Sequence, residues 1–310
     1  MLPPTVLSND DLAAMVDTSD EWISTRTGIK RRHIANGVTA LELASGAAER
    51  ALEQAAADPE SVGLVVCATI LPDKIVPSLA AEVRHALGIQ NAVAFDINSA
   101  CTGFVAALIT AAGVMEAVGV ERALVVGCEI LSRITDWTDR KTCVLFADGA
   151  GAVLLSREGG PGFLAQSLMG TSENMYALSC FANWPEGRYA EAPPSPLITM
   201  GGDNVYRFAV TEMCAQMELC ASRAGIALGE IDHIVPHQAN ERILRSVAHK
   251  CGLPIERFAL NIAEAGNTSA ASIPIALDEL NRAGALKRGD TVMLVGAGGG
   301  LSAGAVLLRW

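Results

Sequence analysis

The sequence predicts an α/β protein made of two copies of one supersecondary unit, each a sheet covered by helices. Three observations predict it. "AGAVLLSR" starts at Ala150 and "AGAVLLRW" at Ala303, a near-identical pair of segments. Other pairs keep the same order: "GLVVCAT" with "DHIVPHQ", "ALGIQNAVAFDINSACTGF" with "KCGLPIERFALNIAEAGNTSA", and "RALVVGCE" with "DTVMLVGAG". Within each copy, short runs of Val, Ile and Leu alternate with longer alanine-rich helical stretches, the pattern of parallel sheets covered by helices. The turn chemistry of "REGGPG" divides the chain into halves 1–156 and 157–310.

Taken in order, the opening "MLPPTVLSND" is too polar for a secretion signal. "GLVVCAT" and "RALVVGCE" read as buried strands of the first half. "ALITAAGVMEAVGV" is interrupted by Gly113, Glu116 and Gly119, so it is expected to be a core helix, with no apolar run long enough to span a membrane. Residues 170–204 are the least regular part and are expected to carry function or a dimer contact. In the second half "DHIVPHQ" and "DTVMLVGAG" read as strands.

Half of the 310 residues are hydrophobic but only 5% are aromatic, so the core is aliphatic and filled by small side chains. A formal net charge of −11 argues against broad nucleic-acid binding and leaves room only for a local basic patch toward an acidic partner. None of the eight cysteines forms a C-x-x-C pair, which removes the zinc and thioredoxin readings and points to free thiols in a reducing, cytoplasmic setting.

Chemistry concentrates at three turns. In "FDINSACTGFVAAL", residues 95–108, Cys101 sits between a strand and a helix. Free N–H groups and the positive end of that helix are expected to lower its pKa. In "VPHQANERI", His237 ends a strand; in "NIAEAGNTSAAS", Asn267 occupies a Gly-Asn-Thr turn. Singly, these are an ordinary buried thiol, a polar cap and a turn residue. The repeat joins them: with Asp96 and Ile97 laid on Asn261 and Ile262, Cys101 falls within one residue of Asn267. All three then lie at strand ends, where open α/β sheets place their ligands.

"DINSACTGF", "PHQANERI", "NIAEAGNTSAASIP" and "VDTSDEWISTRTGIKRRHIA" resemble the motifs of beta-ketoacyl-acyl carrier protein synthase III, and the likeness runs over residues 3–310. The resemblance implies a thiolase-like fold in layers αβαβα, a cytoplasmic homodimer, and no permanently bound cofactor, metal, nucleic acid or membrane. It implies that Cys101 accepts an acyl primer from acyl-CoA, with the N–H groups of Cys101 and Gly299 as oxyanion hole. Malonyl-acyl carrier protein then loses CO2 while His237 and Asn267 donate hydrogen bonds to its thioester oxygen. The carbanion attacks the acyl-Cys101 carbonyl and gives 3-oxoacyl-acyl carrier protein, the first step of fatty acid synthesis. Thr18, Trp22, Arg26, Arg140 and Asn240 would surround CoA, with Trp22 stacked on the adenine. Arg207, Arg242 and Lys250 would dock the acidic carrier protein. Val76 would be donated across the dimer to the acyl pocket, where its small side chain fits a primer longer or more branched than acetyl.

Three departures accompany the likeness. The chain starts where a strand of the type I-x-G-x-G-x-x-x-P would just have ended, so a central strand of the first sheet is expected to be missing through a misassigned start. Ala297 stands where the family has Phe in "FGGG". Ser302 and Ala303 stand for Thr and Trp. The alternative reading is therefore a non-decarboxylating acyltransferase or a secondary-metabolite ketosynthase of polyketide or quinolone type. A thiolase would need a second cysteine in C-x-G, a hydroxymethylglutaryl-CoA synthase a partner glutamate, and neither is found. "VMLVGAGGG" fails the dinucleotide spacing because Leu301 stands where glycine is required.

Overall fold

A computed structural model describes residues 1–159, 162–181 and 196–310. The first half opens with a hairpin, β1 (Thr5–Ser8) antiparallel to β2 (Arg31–Ile34), whose connection carries α1 (Asn9–Ala13) and α2 (Asp20–Thr27). Then come α3 (Ala40–Gln54), β3 (Leu64–Ala68), α4 (Leu79–Ala86), β4 (Val93–Ile97), α5 (Gly103–Val118), β5 (Arg122–Ile130) and β6 (Asp148–Ser156). The second half holds β7 (Phe163–Gly170), β8 (Leu178–Ser179), β9 (Thr199–Met200), α6 (Gly202–Ala224), β10 (His233–Pro236), α7 (Glu241–Lys250), α8 (Ile262–Ala265), α9 (Ser272–Arg282), β11 (Thr291–Gly298) and β12 (Ser302–Arg309). Of the irregular excursion at 170–204, residues 182–195 lie outside the described residues.

The repeat is visible in the sheets. The first has strand order β4-β3-β5-β6 and the second β10-β11-β12-β7. In each, a parallel pair (β3 with β5, β10 with β11) is followed by an antiparallel partner (β6, β12). The halves differ at their margins. β4 has only an isolated bridge, Phe258 beside Ile234, as its counterpart. β7 pairs outside β12 at one end of the second sheet; beside β6 the described residues place Met1, bonded to Ala150 through both backbone groups.

Side-chain alternation assigns the layers. Leu64, Val66 and Ala68 of β3 face α5 and α9, while Val65 and Cys67 face α3 and α4. From the other side Val292 and Leu294 of β11 meet α5 and α9, and Met293 and Val295 turn to α6 and α7. The strands are buried on both faces, which is why they read as unbroken apolar runs. The stack is α3/α4, sheet, α5/α9, sheet, α6/α7, five layers in the order αβαβα. Gly127 of β5 admits the central layer closely: a Cβ there would meet the Ala270 carbonyl at 2.5 Å. Contrary to the sequence expectation, the stretch Ala100–Val118 is long and apolar enough to cross a membrane, with mean hydropathy 1.7; here it packs between the two sheets.

Helix ends follow local chemistry. Thr39 and Glu42 form a capping box on α3, Ser78 caps α4 and Asn240 caps α7. Gly119 and Gly225, both left-handed, stop α5 and α6.

Candidate active site

β4 runs into a short 3-10 turn, Ala100–Thr102, and α5 starts directly after it. Asp96 of β4 accepts the N–H groups of Leu79 and Ala80 at 2.8 Å, which fixes the strand's end against α4. Thr102 Oγ1 and Ser302 Oγ lie 2.7 Å apart and tie the turn to β12. Cys101 is thereby held at the seam of the two halves, buried with 6% of its surface exposed. The end of β11 presses on it: a Cβ on Gly298 would lie 2.7 Å from Cys101 Cβ and 2.8 Å from its N. From Gly296 the same construction reaches Cys101 O at 3.4 Å and His237 Cβ at 3.6 Å, so β11 touches both residues.

His237 follows β10, its N–H donating to Val295 O at 2.8 Å. Its Nδ1 lies 2.7 Å from Ser272 Oγ, and Ser272 Oγ reaches the Ser269 carbonyl at 2.8 Å. The Ser272 hydroxyl is a rotor that sets the tautomer. Turned to Ser269 it accepts the ring proton from Nδ1; turned to His237 it leaves that proton on Nε2, the donor a thioester oxygen needs. Burial lowers the pKa of His237 to about 4, so the ring works neutral.

Asn267 follows left-handed Gly266 and is held by backbone bonds on both sides, its N–H to Leu145 O at 3.0 Å and its carbonyl from Ala147 N at 2.9 Å. Its Oδ1 accepts the Ser269 N–H at 2.9 Å, which assigns the amide and presents Nδ2–H as a donor. The Ser269 turn packs against the Cys101 turn, and both residues line one cavity. Ser269 thus bonds Asn267 directly and His237 through Ser272, next to Cys101.

A cavity of about 590 Å³ opens on Cys101 and Ser269 and is lined also by Gly299, Ile70, Phe146 and Tyr176, with His237 and Asn267 set behind its wall. It is walled mainly by apolar groups, as an acyl chain requires. Cys180 lines the same cavity and is more exposed than Cys101.

One expectation is overturned. Burial pushes the Cys101 thiol up to about 11, outweighing the favourable bonds from Ser269 and its own backbone. The resting site holds a thiol, not a thiolate. A group that sequence reasoning missed lies behind it. Glu129 of β5 is fully buried, accepts the Ile70 N–H at 3.0 Å and the Ser269 hydroxyl at 3.2 Å, and is raised to about 8 by desolvation. Its signal was an acid inside the otherwise apolar strand "RALVVGCEI".

The expected CoA residues assemble at a second place. The Arg26 and Arg140 guanidinium carbons lie 4.8 and 5.1 Å from the Trp22 ring centroid. Asn240 Nδ2 donates to Arg26 O at 3.1 Å, linking α7 to α2, while its Oδ1 caps α7. Thr18 Oγ1 is buried with no partner among the described residues. Arg207, Arg242 and Lys250 are exposed on α6 and α7. Val76 is 83% exposed and does not line this chain's cavity.

The geometry agrees with what the chain is similar to. The family described as 3-oxoacyl-[acyl-carrier-protein (ACP)] synthase III matches residues 95–172, and its C-terminal part matches residues 221–310. The beta-ketoacyl-[acyl-carrier-protein] synthase III of Clostridium acetobutylicum is 42% identical over 311 aligned positions, covering 100% of this chain and 96% of the relative. That of Neisseria meningitidis serogroup B is 46% identical over 312, with the same coverage. Among solved structures, 3-oxoacyl-[acyl-carrier-protein] synthase III from Aquifex aeolicus superposes with a TM-score of 0.93 at 42% identity, over 100% of this chain and 97% of the other. The priming beta-ketosynthase of the R1128 polyketide pathway gives 0.94 at 34% identity, over 100% and 93%. The layered α/β architecture is the thiolase-like one. The chain belongs to the beta-ketoacyl-[acyl-carrier-protein] synthase III family of condensing enzymes.

Proposed function

We propose that the chain transfers an acyl primer from acyl-CoA to Cys101 and condenses it with malonyl-acyl carrier protein, with loss of CO2, to initiate fatty acid synthesis. The observation that carries this is the meeting of the Cys101 and Ser269 turns at one cavity, with the Ser269 N–H on Asn267 Oδ1 and its carbonyl joined through Ser272 to the His237 ring. The nucleophile lies on the cavity wall, and the two neutral donors are held beside it through Ser269.

In the first half-reaction the Cys101 sulfur attacks the primer carbonyl, and the Cys101 and Gly299 N–H groups receive the oxyanion; the CoA thiol leaves. In the second, malonyl thioester enters. Asn267 Nδ2–H and, with Ser272 turned toward Nδ1, His237 Nε2–H stabilise the enolate formed as CO2 departs. Neutral donors suit this step, because a charged imidazolium would be held only at acid pH in a site so buried. The enolate carbon then attacks the acyl-Cys101 carbonyl; the C–S bond to Cys101 breaks, the sulfur leaves as thiolate and regains a proton, and 3-oxoacyl-acyl carrier protein is released.

Trp22 with Arg26 and Arg140 offers a flat face and two cations to the adenine and phosphates of CoA. Arg242, Arg245 and His249 recur along one face of α7, with Lys250 beside them and Arg207 on the adjoining α6, a basic patch on a chain of net charge −11 that fits an acidic carrier protein. The edge strand β4 and the loop carrying Ile75 and Val76, 89% and 83% exposed, fit a second copy of the chain, which would receive Val76 at its acyl pocket. The small Val76 suits primers longer or more branched than acetyl. Buried free thiols at Cys67, Cys128 and Cys220 suit the cytoplasm.

The alternative, a secondary-metabolite ketosynthase or an acyltransferase without decarboxylation, is favoured by Ala297 and Ala303, small and buried where the family carries aromatic residues. Release of CO2 from malonyl-acyl carrier protein, with formation of 3-oxoacyl product, supports the condensing reading. Acyl transfer to an alcohol or amine with no CO2 released overturns it.

A further inference from the structure

Asn267 and His237 are aimed as donors only while Ser269 keeps its place. The Ser269 N–H donates to Asn267 Oδ1 at 2.9 Å, and its carbonyl lies 2.8 Å from Ser272 Oγ, which in turn lies 2.7 Å from His237 Nδ1. Yet Ser269 has a φ of 48°, a left-handed conformation that side chains other than glycine rarely adopt and that persists only where the surroundings enforce it. α9 begins directly after the turn Ser269–Ala271, so a relaxation of this φ rotates the peptide that carries the Ser269 N–H. Something has to hold the residue from behind.

The holder is on β5. Residues two apart on a strand share a face, and Gly127 and Glu129 both meet the turn Ser269–Ala271. At Gly127 the missing side chain lets the turn close in, since a Cβ there would lie 2.5 Å from the Ala270 carbonyl. At Glu129 the carboxyl reaches it: Oε1 accepts the Ser269 hydroxyl at 3.2 Å, while Oε2 accepts the Ile70 N–H at 3.0 Å. Ser269 and Ile70 both line the cavity, and the fully buried Glu129 ties one to the other. Asp148, equally buried, accepts instead from Ala35 and Ser132, neither of which lines the cavity.

We propose that Glu129 is a positioning residue for the second half-reaction: by holding the Ser269 hydroxyl it fixes the turn whose N–H orients Asn267 and whose carbonyl meets Ser272 beneath His237. The proposal rests on Asn267 and His237 being the donors to the malonyl thioester. Glu129 does not line the cavity and acts through Ser269. Its hold is a matter of shape and hydrogen bonding. A glutamine of the same outline keeps both bonds, its oxygen accepting the Ile70 N–H and its NH2 donating to Ser269 Oγ. A leucine keeps neither and leaves the Ile70 N–H without its acceptor. Removing one donor to an oxyanion typically costs about 10²–10³ in rate, and a donor that is present but misaligned forfeits part of that.

The test compares two single-turnover rates of the full chain in wild type, Glu129→Leu, Ser269→Ala and Glu129→Gln. The first is loading of Cys101, read as the mass gain of its peptide, with whichever of acetyl-, butyryl- and octanoyl-CoA loads the wild type fastest. The second is release of CO2 from malonyl-acyl carrier protein by the loaded enzyme. Expected is a ratio of CO2 release to loading at least about tenfold below wild type in Glu129→Leu and in Ser269→Ala, with no further fall when the two are combined, and a ratio within about threefold of wild type in Glu129→Gln. Ser269→Ala keeps the backbone N–H that bonds Asn267 and carries the comparison if Glu129→Leu does not fold. A wild-type ratio in Ser269→Ala, both rates falling by one factor, or a Glu129→Gln ratio as low as that of Ser269→Ala overturns the positioning role alone. A wild type that loads Cys101 but releases no CO2 overturns the condensing reading, and the positioning role with it.

Discussion

Ala297 of β11 stands directly opposite Ala303 of β12, both buried. The two departures from the family's aromatic pattern are therefore one cross-strand pair, lost together. Residues opposite each other on antiparallel strands share a face, and this pair faces the layer of Met213 and Met217 on α6. Pliable methionine chains fill such a space well.

It follows that Ala297→Phe alone overpacks the layer between β11 and α6. The expected cost is about 1–3 kcal/mol of unfolding free energy, measured by urea denaturation. Unchanged stability would show that a void waits there.

Gly298 is the tightest point of the nucleophile's seat. Gly298→Ala places a methyl 2.7 Å from Cys101 Cβ, and β11 or the turn has to shift. Displacing a nucleophile by about 1 Å costs on the order of 100-fold in rate. Single-turnover acylation falls by that order while the circular dichroism of the fold is retained; a wild-type rate would mean that Cys101 is not held by this contact.

Two buried groups make stability depend on pH in opposite senses. His237 is lowered from 6.5 to about 4, so protons favour the unfolded chain; its contribution is full above pH 6.5 and is lost as pH falls through about 4. Glu129 is raised from 4.5 to about 8, so its contribution is full below pH 4.5 and is lost as pH rises through about 8. Melting curves at a series of pH values separate them. Relative to His237→Gln, the wild type gains stability from pH 4 to 6.5, on the order of 3 kcal/mol at full extent. Relative to Glu129→Gln, it loses stability from pH 4.5 to 8. Parallel profiles for wild type and variants would remove both assignments.

Much of this was legible in the residues. The echo of "AGAVLLSR" in "AGAVLLRW" gave β6 and β12, and laying one half on the other brought Cys101 toward Asn267. The turn chemistry around "SACTG" and "AGNTS" survives as the two 3-10 turns that face each other across the seam. What escaped depends on three-dimensional surroundings. A helix start suggested an acidic thiol at Cys101, but burial outweighs the helix end. Glu129 escaped because nothing local says that Ser269, 140 residues away in sequence, donates its hydroxyl to it. Val76 has no place in the cavity of a single chain, since its expected role needs a second copy.

The flat face at Trp22 has its own expectation. Trp22→Ala removes the ring that Arg26 and Arg140 cover. The loss of one aromatic contact is worth about 0.5–1.5 kcal/mol, so the KM for acyl-CoA rises about two- to tenfold with kcat nearly unchanged. A fall in kcat at constant KM would place Trp22 in the chemistry instead of in CoA binding.

The central claim is that one sulfur carries the acyl group. Intact and peptide mass analysis after incubation with a panel of acyl-CoAs tests it most directly. The account predicts a single acyl adduct on Cys101, lost in Cys101→Ala and discharged when malonyl-acyl carrier protein is added. An adduct on Cys180, the other thiol on the cavity wall, or an adduct that persists in Cys101→Ala would contradict it.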